Sequence, residues 1–324
     1  MIRCAIAGLG RWGRTLVEAA HGGPRLKIVR AVEADLEPAR DFCAGRGIDL
    51  TDDFDAVLDD PAIDAILLAT PHSLHKAQVM AAAAARKHVF CEKPLALRRI
   101  HAQEMFAACH KTGVLLAVGY NRRFWPSMHR LREMVASGEL GRILHVEGHN
   151  SNENSNSILH GWRLSPEESP GGGLTGAGLH VLDAFTSLLG PARQVYARLS
   201  PREAGPPPLD SAMLAIDFES GVTGTLATVR ATPFYWRIHL FGTKASAEVL
   251  EEVTMVVRKS GHSPQPITLA KIDTLAAELE AFADAIEGKH PYPVAEAEIL
   301  ATLAAFEAAI SSMQTGHPVA CNVR

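Results

Sequence analysis

The amino-acid sequence predicts an α/β protein in two domains: a doubly wound parallel sheet, followed by an α+β domain with a mostly antiparallel sheet. Up to residue 122, apolar strand segments alternate with helical segments, which is typical of parallel βαβ units. From Arg142 onward, short strand segments follow one another with tight turns between them, which indicates antiparallel pairing. We therefore expect one domain over residues 1–122 and a second over residues 123–324.

Composition indicates a globular protein in solution and excludes several other classes. The chain has 324 residues, which fits two domains at roughly 150 residues each. Its apolar content of 47% and its net charge of -4 give no basic surface for nucleic acid. No segment is long and apolar enough to predict a membrane span. Five scattered cysteines without CxxC spacing indicate free thiols and no zinc site, so a cytoplasmic location is expected.

A dinucleotide-binding motif opens the first domain. The strand over residues 2–7 runs directly into Gly8-Leu9-Gly10-Arg11-Trp12-Gly13, and a helix follows from about residue 14. Gly8 permits a tight turn, Gly10 lets the backbone approach a pyrophosphate, and Gly13 lets the helix pack closely on the strand. Because the motif lies between the first strand and the first helix, it predicts a Rossmann site with the helix N-terminus facing the phosphates.

Two acidic side chains after the second strand, residues 27–32, are candidates to bind the adenosine ribose. We favour Asp35, and Glu33 stays open as the alternative. Either carboxylate could instead cap the helix that follows. A carboxylate at this place repels a ribose phosphate, and no arginine follows at once to receive one, so we expect NAD rather than NADP.

The next buried strand, over residues 63–70, ends in a segment expected beside the nicotinamide ribose. Its candidate cofactor contacts are Thr70, Pro71, His72 and His75. The two histidines resemble a pair of metal ligands, but neither a carboxylate nor a thiol accompanies them. We therefore expect no metal site.

The segment His88–Leu95 carries the first candidate catalytic residue, Lys93. It reads as a short apolar strand that ends in Glu92, Lys93 and Pro94, because proline removes a backbone donor and disfavours helix for the residue before it. The Lys93–Pro94 bond could be cis or trans. Ligands bind at the carboxyl ends of parallel strands, so this position favours a functional lysine over a solvated one.

The second domain contains a glycine-rich segment that differs from its surroundings. Residues 171–178 hold five glycines in eight positions and lead into a helix that carries His180. Glycine density lets backbone pack closely against another group, and histidine has the pKa range for moving protons. A structural histidine bound to a carbonyl is the alternative. The strands expected around this segment are 143–147, 194–199, 212–218, 222–229, 236–241 and 247–250, with helices at 126–137, 273–288 and 296–315.

At this point the chain strongly resembles the Gfo/Idh/MocA family, the glucose-fructose oxidoreductase and inositol dehydrogenase family. The resemblance covers essentially the whole chain and rests on several motifs taken together. These are GLGRWG, LLATPHSLH, KHVFCEKPL, VGYNRRF, SGELGRILHVEG, the GGG…GLHVLD segment and FGTKASAEV.

The resemblance implies a Rossmann domain, an α+β domain with a large open sheet that makes homodimers or homotetramers, NAD or NADP as cofactor, and sugar or polyol substrates. By position, Lys93 matches the lysine that contacts the reacting oxygen, and His180 matches the histidine that acts as acid or base. Gly176 departs from the pattern, because the usual residue four positions before that histidine is an aspartate. Candidate pocket residues are Tyr120, Asn121, Arg123, Trp162, Arg163 and Thr175.

The leading functional hypothesis is an NAD(P)-dependent oxidoreductase that acts on a secondary alcohol of a sugar, polyol or related cyclic compound. Lys93 and His180 would act at the reacting oxygen, and Glu92 would position Lys93 or the nicotinamide ribose. One alternative is a hydrolase or lyase that oxidises a sugar transiently and returns the hydride. The other is a non-catalytic sensor of nucleotide and sugar.

Overall fold

The protein is described here by a computed structural model, which covers residues 1–152, 161–201, 210–230 and 232–321. The chain divides into two compact units. The first consists of Met1–Asn121 and Asp273–Ala295, and the second of Arg122–Ile272 and Glu296–Arg324. None of the helices in these described ranges has both the length and the apolar character needed to cross a membrane.

The first unit is built on a six-stranded parallel sheet. Its strands are β1 Ile2–Ala7, β2 Leu26–Val32, β3 Asp49–Thr51, β4 Ala65–Leu68, β5 His88–Glu92 and β6 Leu116–Gly119. They are arranged in the order β3-β2-β1-β4-β5-β6, and every neighbouring pair is parallel. The order reverses between β1 and β4, which is the point where such sheets bind ligands. The predicted doubly wound parallel sheet is confirmed.

Five helices connect these strands: α1 Arg11–His21, α2 Arg40–Ala44, α3 Phe54–Leu58, α4 His72–Ala84 and α5 Arg99–Thr112. The strand β4 is buried along its whole length, as expected for a strand covered on both faces. Helix α4 begins at His72, with Pro71 as its N-cap residue. The predicted contact segment after β4 therefore forms the N-terminus of a helix.

One further helix, α8 Thr274–Ile286, belongs to the first unit although the sequence analysis assigned it to the second domain. Its apolar side packs into the core of the parallel sheet, where the Phe282 ring lies 5.6 Å from Phe90. Arg25 also forms an ion pair with Asp284, and its Nη2 lies 2.8 Å from Glu287. By its contacts, this helix groups with the first unit, whereas the expected boundary at residue 122 placed it in the second domain.

The second unit is built on a nine-stranded sheet. Its strands are β7 Ile143–Asn152, β8 Ala192–Pro201, β9 Asp210–Phe218, β10 Thr223–Arg230, β11 Tyr235–Gly242, β12 Ser246–Val249, β13 Thr254–Arg258, β14 Gln265–Thr268 and β15 Val319–Ala320. The order is β14-β13-β12-β11-β7-β10-β9-β8-β15. The β7–β10 pair is parallel and the other neighbours are antiparallel, so the predicted mostly antiparallel sheet is confirmed.

Helices α6 Pro126–Ala136, α7 Leu179–Leu189 and α9 Glu296–Thr315 complete the second unit. Side chains along β9 and β10 alternate between buried and more exposed positions, as in a sheet with one covered face. Helix α7 packs on that face at Gly148 of β7, where an added Cβ would lie 2.3 Å from Val181. A glycine is therefore required for this close approach.

Candidate active site

The glycine-rich loop after β1 has the geometry that its three glycines predict. Gly8 has φ of 89°, and a Cβ there would lie 2.7 Å from the carbonyl oxygen of Ala69. A Cβ on Gly13 would lie 1.9 Å from the carbonyl oxygen of Gly8. In contrast, a Cβ on Gly10 would meet no heavy atom within 4 Å. The loop is thus packed tightly at Gly8 and Gly13 and open at Gly10, at the N-terminus of α1, where backbone N–H groups can bind an anion.

The two acidic candidates after β2 have different environments. The half-buried carboxylate of Glu33 accepts a hydrogen bond from the backbone N–H of Leu9, inside the glycine-rich loop. Asp35 is exposed, and its carboxylate accepts the backbone N–H of Glu37 at 3.2 Å, as a cap of the following turn. Glu33 therefore lies against the loop, whereas Asp35 has the capping role that the sequence analysis left open.

The residues after β4 lie on the same edge of the sheet as the loop. His75 is fully buried, and its two ring nitrogens lie 3.0 Å from the Pro94 carbonyl oxygen and 3.1 Å from that of Thr70. The ring therefore joins the segment after β4 to the segment after β5. Thr70, Pro71 and His72 are partly exposed beside it. Within the described ranges, no group of three histidine, cysteine or acidic side chains could hold a metal ion.

Glu92 ends β5 with a buried carboxyl group. A Cβ on Gly119 of the neighbouring β6 would lie 2.7 Å from its Oε1, and the Lys93 backbone N–H donates to its Oε2 at 3.3 Å. Burial raises the pKa of Glu92 from 4.5 to about 7, although the Trp12 indole and the Lys93 ammonium favour the charged form. Neither Trp12 Nε1 nor Glu92 Oε1 has a hydrogen-bond partner of ordinary geometry in the described part of the chain.

Lys93 follows directly, half-buried at the carboxyl end of β5, and the Lys93–Pro94 peptide bond is cis. Arg11 and Trp12 lie across the β1 end, with the Arg11 guanidinium 5.9 Å from the indole centroid. Because β1, β4 and β5 are adjacent, their loops converge at one edge. The predicted cofactor residues that follow β1, β4 and β5 therefore lie at or beside this edge, with His75 and Glu92 buried there, whereas Asp35 follows β2 and is exposed.

In the second unit, the glycine-rich segment is attached to the sheet through Asp210. The Gly173 N–H donates to its carboxylate at 2.9 Å, and Arg230 Nη1 lies 3.4 Å from the same side chain. Gly172 has φ of 55°, and a Cβ there would lie 2.4 Å from Asp210 Oδ2. The glycines are therefore needed so that the backbone can approach a buried carboxylate.

The segment continues through a single π turn, Leu174–Gly178, into α7 with His180 on its first turn. Thr175, a candidate pocket residue, is fully buried, and its hydroxyl accepts the Gly171 N–H at 3.0 Å. It therefore closes the loop instead of facing a ligand. Gly176 is exposed, and a Cβ there would meet no heavy atom within 4 Å, whereas His180 is mostly buried.

The two adjacent arginines of the NRRF motif have different partners. Arg123, predicted to line the pocket, is buried and donates from Nε and Nη2 to Asp183 of α7 at 2.8 and 2.5 Å. It also forms an ion pair with Glu298 of α9. These carboxylates raise the pKa of Arg123 against the effect of burial. Arg123 is thus a structural residue that joins the turn to two helices.

Arg122 was not predicted as a site residue, although it stands next to Arg123. Its guanidinium carbon lies 4.1 Å from the ring centroid of Trp236 and 5.2 Å from that of Trp125. Burial lowers the pKa of Arg122 to about 9. The arginine doublet close to Trp125 was the signal available in the sequence, but it does not show which arginine forms ion pairs.

The remaining candidate pocket residues differ in how far they are buried. Tyr120 is fully buried, and Asn121, half-buried, begins the 3-10 turn Asn121–Phe124. Trp162 and Arg163 are half-exposed in the turn Gly161–Leu164, where the guanidinium lies 4.1 Å from the indole centroid.

Two family models match the chain. Residues 2–120 match the model described as an oxidoreductase family with an NAD-binding Rossmann fold, and residues 128–248 match the GFO/IDH/MocA C-terminal domain. The uncharacterized oxidoreductase YrbE of Bacillus subtilis is 30% identical over 75% of this chain and 72% of its own length. The chain belongs to the GFO/IDH/MocA oxidoreductase family. The resemblance expected from the sequence motifs is confirmed, and the chain is an NAD-binding oxidoreductase of this family.

Other relatives extend over the whole length of this GFO/IDH/MocA protein. The scyllo-inositol 2-dehydrogenase (NAD(+)) of Bacillus subtilis is 28% identical over 100% of this chain and 97% of its own. A solved structure of levoglucosan dehydrogenase in complex with NADH and levoglucosan has a TM-score of 0.89 at 24% identity and covers 99% of both chains. At this identity the structural match establishes the shared fold.

The contrast between the two arginines of this family member predicts different effects on stability. Arg123→Met leaves the Asp183 carboxylate buried without its cation, so we expect the free energy of unfolding to fall by about 3–5 kcal/mol. Arg122→Met removes a buried charge and should lower stability little or not at all. Urea denaturation of both variants checks this, and equal destabilisation by the two would contradict the assignment.

Glu92 predicts a pH dependence of stability. The unfolded chain releases this proton near pH 4.5 and the folded protein near pH 7, so folding takes up a proton between these values. Stability should therefore fall as pH rises from 4.5 to 7 and level off above. Glu92→Gln should gain about 3 kcal/mol relative to the wild type across this window. Urea denaturation of the cofactor-free protein across this pH range measures the free energy of unfolding, and the exposed Glu37→Gln serves as control. Equal plots of stability against pH for Glu92→Gln and Glu37→Gln would refute the prediction.

Proposed function

We propose that this protein is an NAD-dependent dehydrogenase that oxidises a secondary alcohol of a sugar, polyol or related cyclic compound. The observation that carries the proposal is the position of Lys93, at the carboxyl end of β5 and on the sheet edge that holds the glycine-rich loop. Membership in an NAD-binding oxidoreductase family supports the cofactor, and a full-length relative named as an inositol dehydrogenase supports the substrate class.

The proposed chemistry needs one group to stabilise charge and one to accept a proton. When bound, NAD supplies the hydride acceptor. The Lys93 ammonium stabilises the alkoxide that develops on the reacting oxygen, where a preorganised charge has its largest effect. His180 accepts the hydroxyl proton, since histidine is the residue type best suited to general base catalysis near neutral pH. Gly176 leaves His180 without the aspartate that the family usually places one helical turn earlier.

The cofactor-binding residues are proposed from the same edge. The open backbone at Gly10 and the N-terminus of α1 receive the pyrophosphate. The nicotinamide ribose lies beside Glu92, whose Oε1 has no hydrogen-bond partner in the described ranges. It also contacts the partly exposed residues Thr70, Pro71 and His72. His75 positions this segment through its two carbonyl contacts.

We further propose that the second unit binds the substrate and carries the contacts of a homodimer or homotetramer. The family resemblance supports this assignment, and the nine-stranded sheet offers a broad surface for it. Trp162 and Arg163, half-exposed in one turn, are proposed pocket residues of that unit.

The test is NADH formation, followed by near-ultraviolet absorbance, with NAD or NADP and a panel of polyols, aldoses and sugar acids. We expect reduction of NAD with one compound class. Lys93→Ala should lower kcat by at least about 100-fold through loss of the charge at the alkoxide, while the Kd for NAD stays nearly unchanged. Lys93→Arg keeps the charge and serves as control. Unchanged turnover in Lys93→Ala would remove this residue from the mechanism.

The contact between Glu33 and the glycine-rich loop predicts which acid binds the adenosine ribose. Glu33→Gln should weaken NAD binding by roughly 10-fold, because it removes a charge-assisted hydrogen bond to the ribose hydroxyls. Asp35→Asn, two residues away and exposed, should change the Kd for NAD by less than about twofold. Calorimetric titration of both variants with NAD decides between them. A larger effect of Asp35→Asn would restore the assignment favoured from the sequence.

The alternative with a specific observation in its favour is transient oxidation followed by elimination or hydrolysis. Gly176 supports it, since it stands where a simple polyol dehydrogenase of the family usually has an aspartate. Such an enzyme would form product without net NADH and would exchange a substrate proton with solvent. A non-catalytic sensor would bind NAD and turn over no compound of the panel.

A further inference from the structure

Arg122 lies against two indole rings in the second unit. Its guanidinium carbon lies 4.1 Å from the Trp236 ring centroid and 5.2 Å from the Trp125 ring centroid, and these two rings lie 5.3 Å apart in an edge-to-face arrangement. Cation–π contacts of this kind hold the guanidinium in place without using its N–H groups. The side chain as a whole is half-buried.

No counter-ion accompanies this cation in the described ranges. Arg122 Nη1 is buried there without a hydrogen-bond partner, and no acidic side chain forms an ion pair with Arg122. Burial is the cause that lowers its pKa, with no charged neighbour opposing it. Arg123, the next residue, has Asp183 and Glu298 as partners. A cation whose Nη1 is buried without a partner is unfavourable, so an anionic group that binds at this place offsets a cost already present in the fold.

The adjoining residues on the sheet carry polar atoms that also lack partners. Trp236 of β11 stands opposite Asn150 of β7, and Asn150 stands opposite Thr228 of β10. Trp236 Nε1, Asn150 Oδ1 and Thr228 Oγ1 are all buried without a hydrogen-bond partner in the described part of the chain. These three residues form a row across the sheet. The row has the Trp236 indole N–H as a donor beside Arg122, and the oxygens of Asn150 and Thr228 as acceptors farther along. This arrangement suits a ligand with an acid group and hydroxyl groups.

This row is connected to the segment that carries His180. Asn150 Nδ2 donates to the Ala177 carbonyl oxygen at 3.1 Å, within the π turn that leads into α7. A Cβ on Gly178 of the same turn would lie 2.6 Å from Thr228. The acceptors of the row are therefore packed directly against the turn before the proposed proton acceptor.

We propose that Arg122 binds a carboxylate of the substrate, and that the substrates are polyhydroxy acids such as sugar acids or cyclic polyol carboxylates. This inference rests on the proposed dehydrogenase function and names its substrate class. A guanidinium can donate two parallel hydrogen bonds to a planar carboxylate. One cation matches a monoanion, whereas a phosphate dianion would require a second positive group. The carboxylate is bound and unchanged while a secondary alcohol is oxidised to a ketone.

The test measures binding in the presence of NADH, so that it does not depend on turnover. The Kd values for D-glucuronate and quinate are compared by calorimetry with those for the neutral D-glucose and myo-inositol, in the wild type, Arg122→Met and Arg122→Lys. We expect the wild type to bind at least one acid more tightly than its neutral counterpart. Arg122→Met should weaken binding of that acid about 10- to 100-fold and leave the neutral compound unchanged. Arg122→Lys should weaken binding of the acid by an intermediate amount, since lysine keeps the positive charge but cannot donate two parallel hydrogen bonds.

Several results would overturn the inference. These are neutral compounds bound as tightly as the acids, no binding of either acid, or acid binding that Arg122→Met leaves unchanged. Tighter binding of D-glucose 6-phosphate than of D-glucuronate would assign the site to a phosphate instead. A weakened Kd for NADH in Arg122→Met, with acid binding unaltered, would assign the anion to the cofactor. Thermal melting shows that the variants are folded, with Arg123→Met as the structurally disruptive control.

The binding readout separates this inference from the proposed function. Turnover of neutral polyols without acid selectivity would refute the carboxylate site and leave the dehydrogenase intact. Selective, Arg122-dependent binding of an acid without NADH formation on any compound would refute the dehydrogenase and leave the carboxylate site intact.

Discussion

The parallel pairing of β1 with β4 is the constraint on which the cofactor edge depends. The two strands are joined over Cys4–Ala7 and Ala65–Leu68, and this pairing brings the turn after β1 against the carbonyl of Ala69. A side chain at Gly8 would collide with that carbonyl, and one at Gly13 would collide with the loop itself. Because the strands pair this closely, glycines are required, and the backbone of Gly10 is left open for a phosphate.

The charged side chains inside this protein differ in whether the protein itself supplies a partner for them. Arg123 forms ion pairs with Asp183 and Glu298, so the buried Asp183 carboxylate has a cation beside it. Glu92 is buried and Arg122 is half-buried, and Glu92 Oε1 and Arg122 Nη1 have no hydrogen-bond partner in the described ranges. Burial raises the pKa of Glu92 and lowers that of Arg122, so it favours the neutral form of each. The roles proposed for Glu92 and Arg122 rest on these unpartnered atoms, whereas the guanidinium of Arg123 bonds to Asp183.

The sequence could predict the parallel sheet, the glycine-rich loop and the Lys93 edge, because each depends on local pattern and strand order. It could not predict β3, β13, β14 and β15, which are short or weakly apolar, nor the return of α8 to the first unit. Side-chain roles were least predictable. Arg122 and Arg123 are identical in type and adjacent, and only the positions of Asp183 and the two tryptophans separate them. Likewise, the choice between Glu33 and Asp35 depends on the position of Leu9 N–H.

Gly176 and Arg122 together change the charge that the second unit offers to a substrate. Relatives with an aspartate at the first position would present a carboxylate on the π turn, which suits the hydroxyl groups of a neutral polyol. Here the turn carries no side chain at that position. The guanidinium of Arg122, which has no ion-pair partner in the described ranges, contacts Trp236, whose strand neighbour Asn150 bonds to the same turn. An aspartate at 176 would repel an acidic substrate and favour the neutral one. The absence of a carboxylate at position 176 and the presence of the Arg122 cation therefore both favour the negatively charged substrate proposed above.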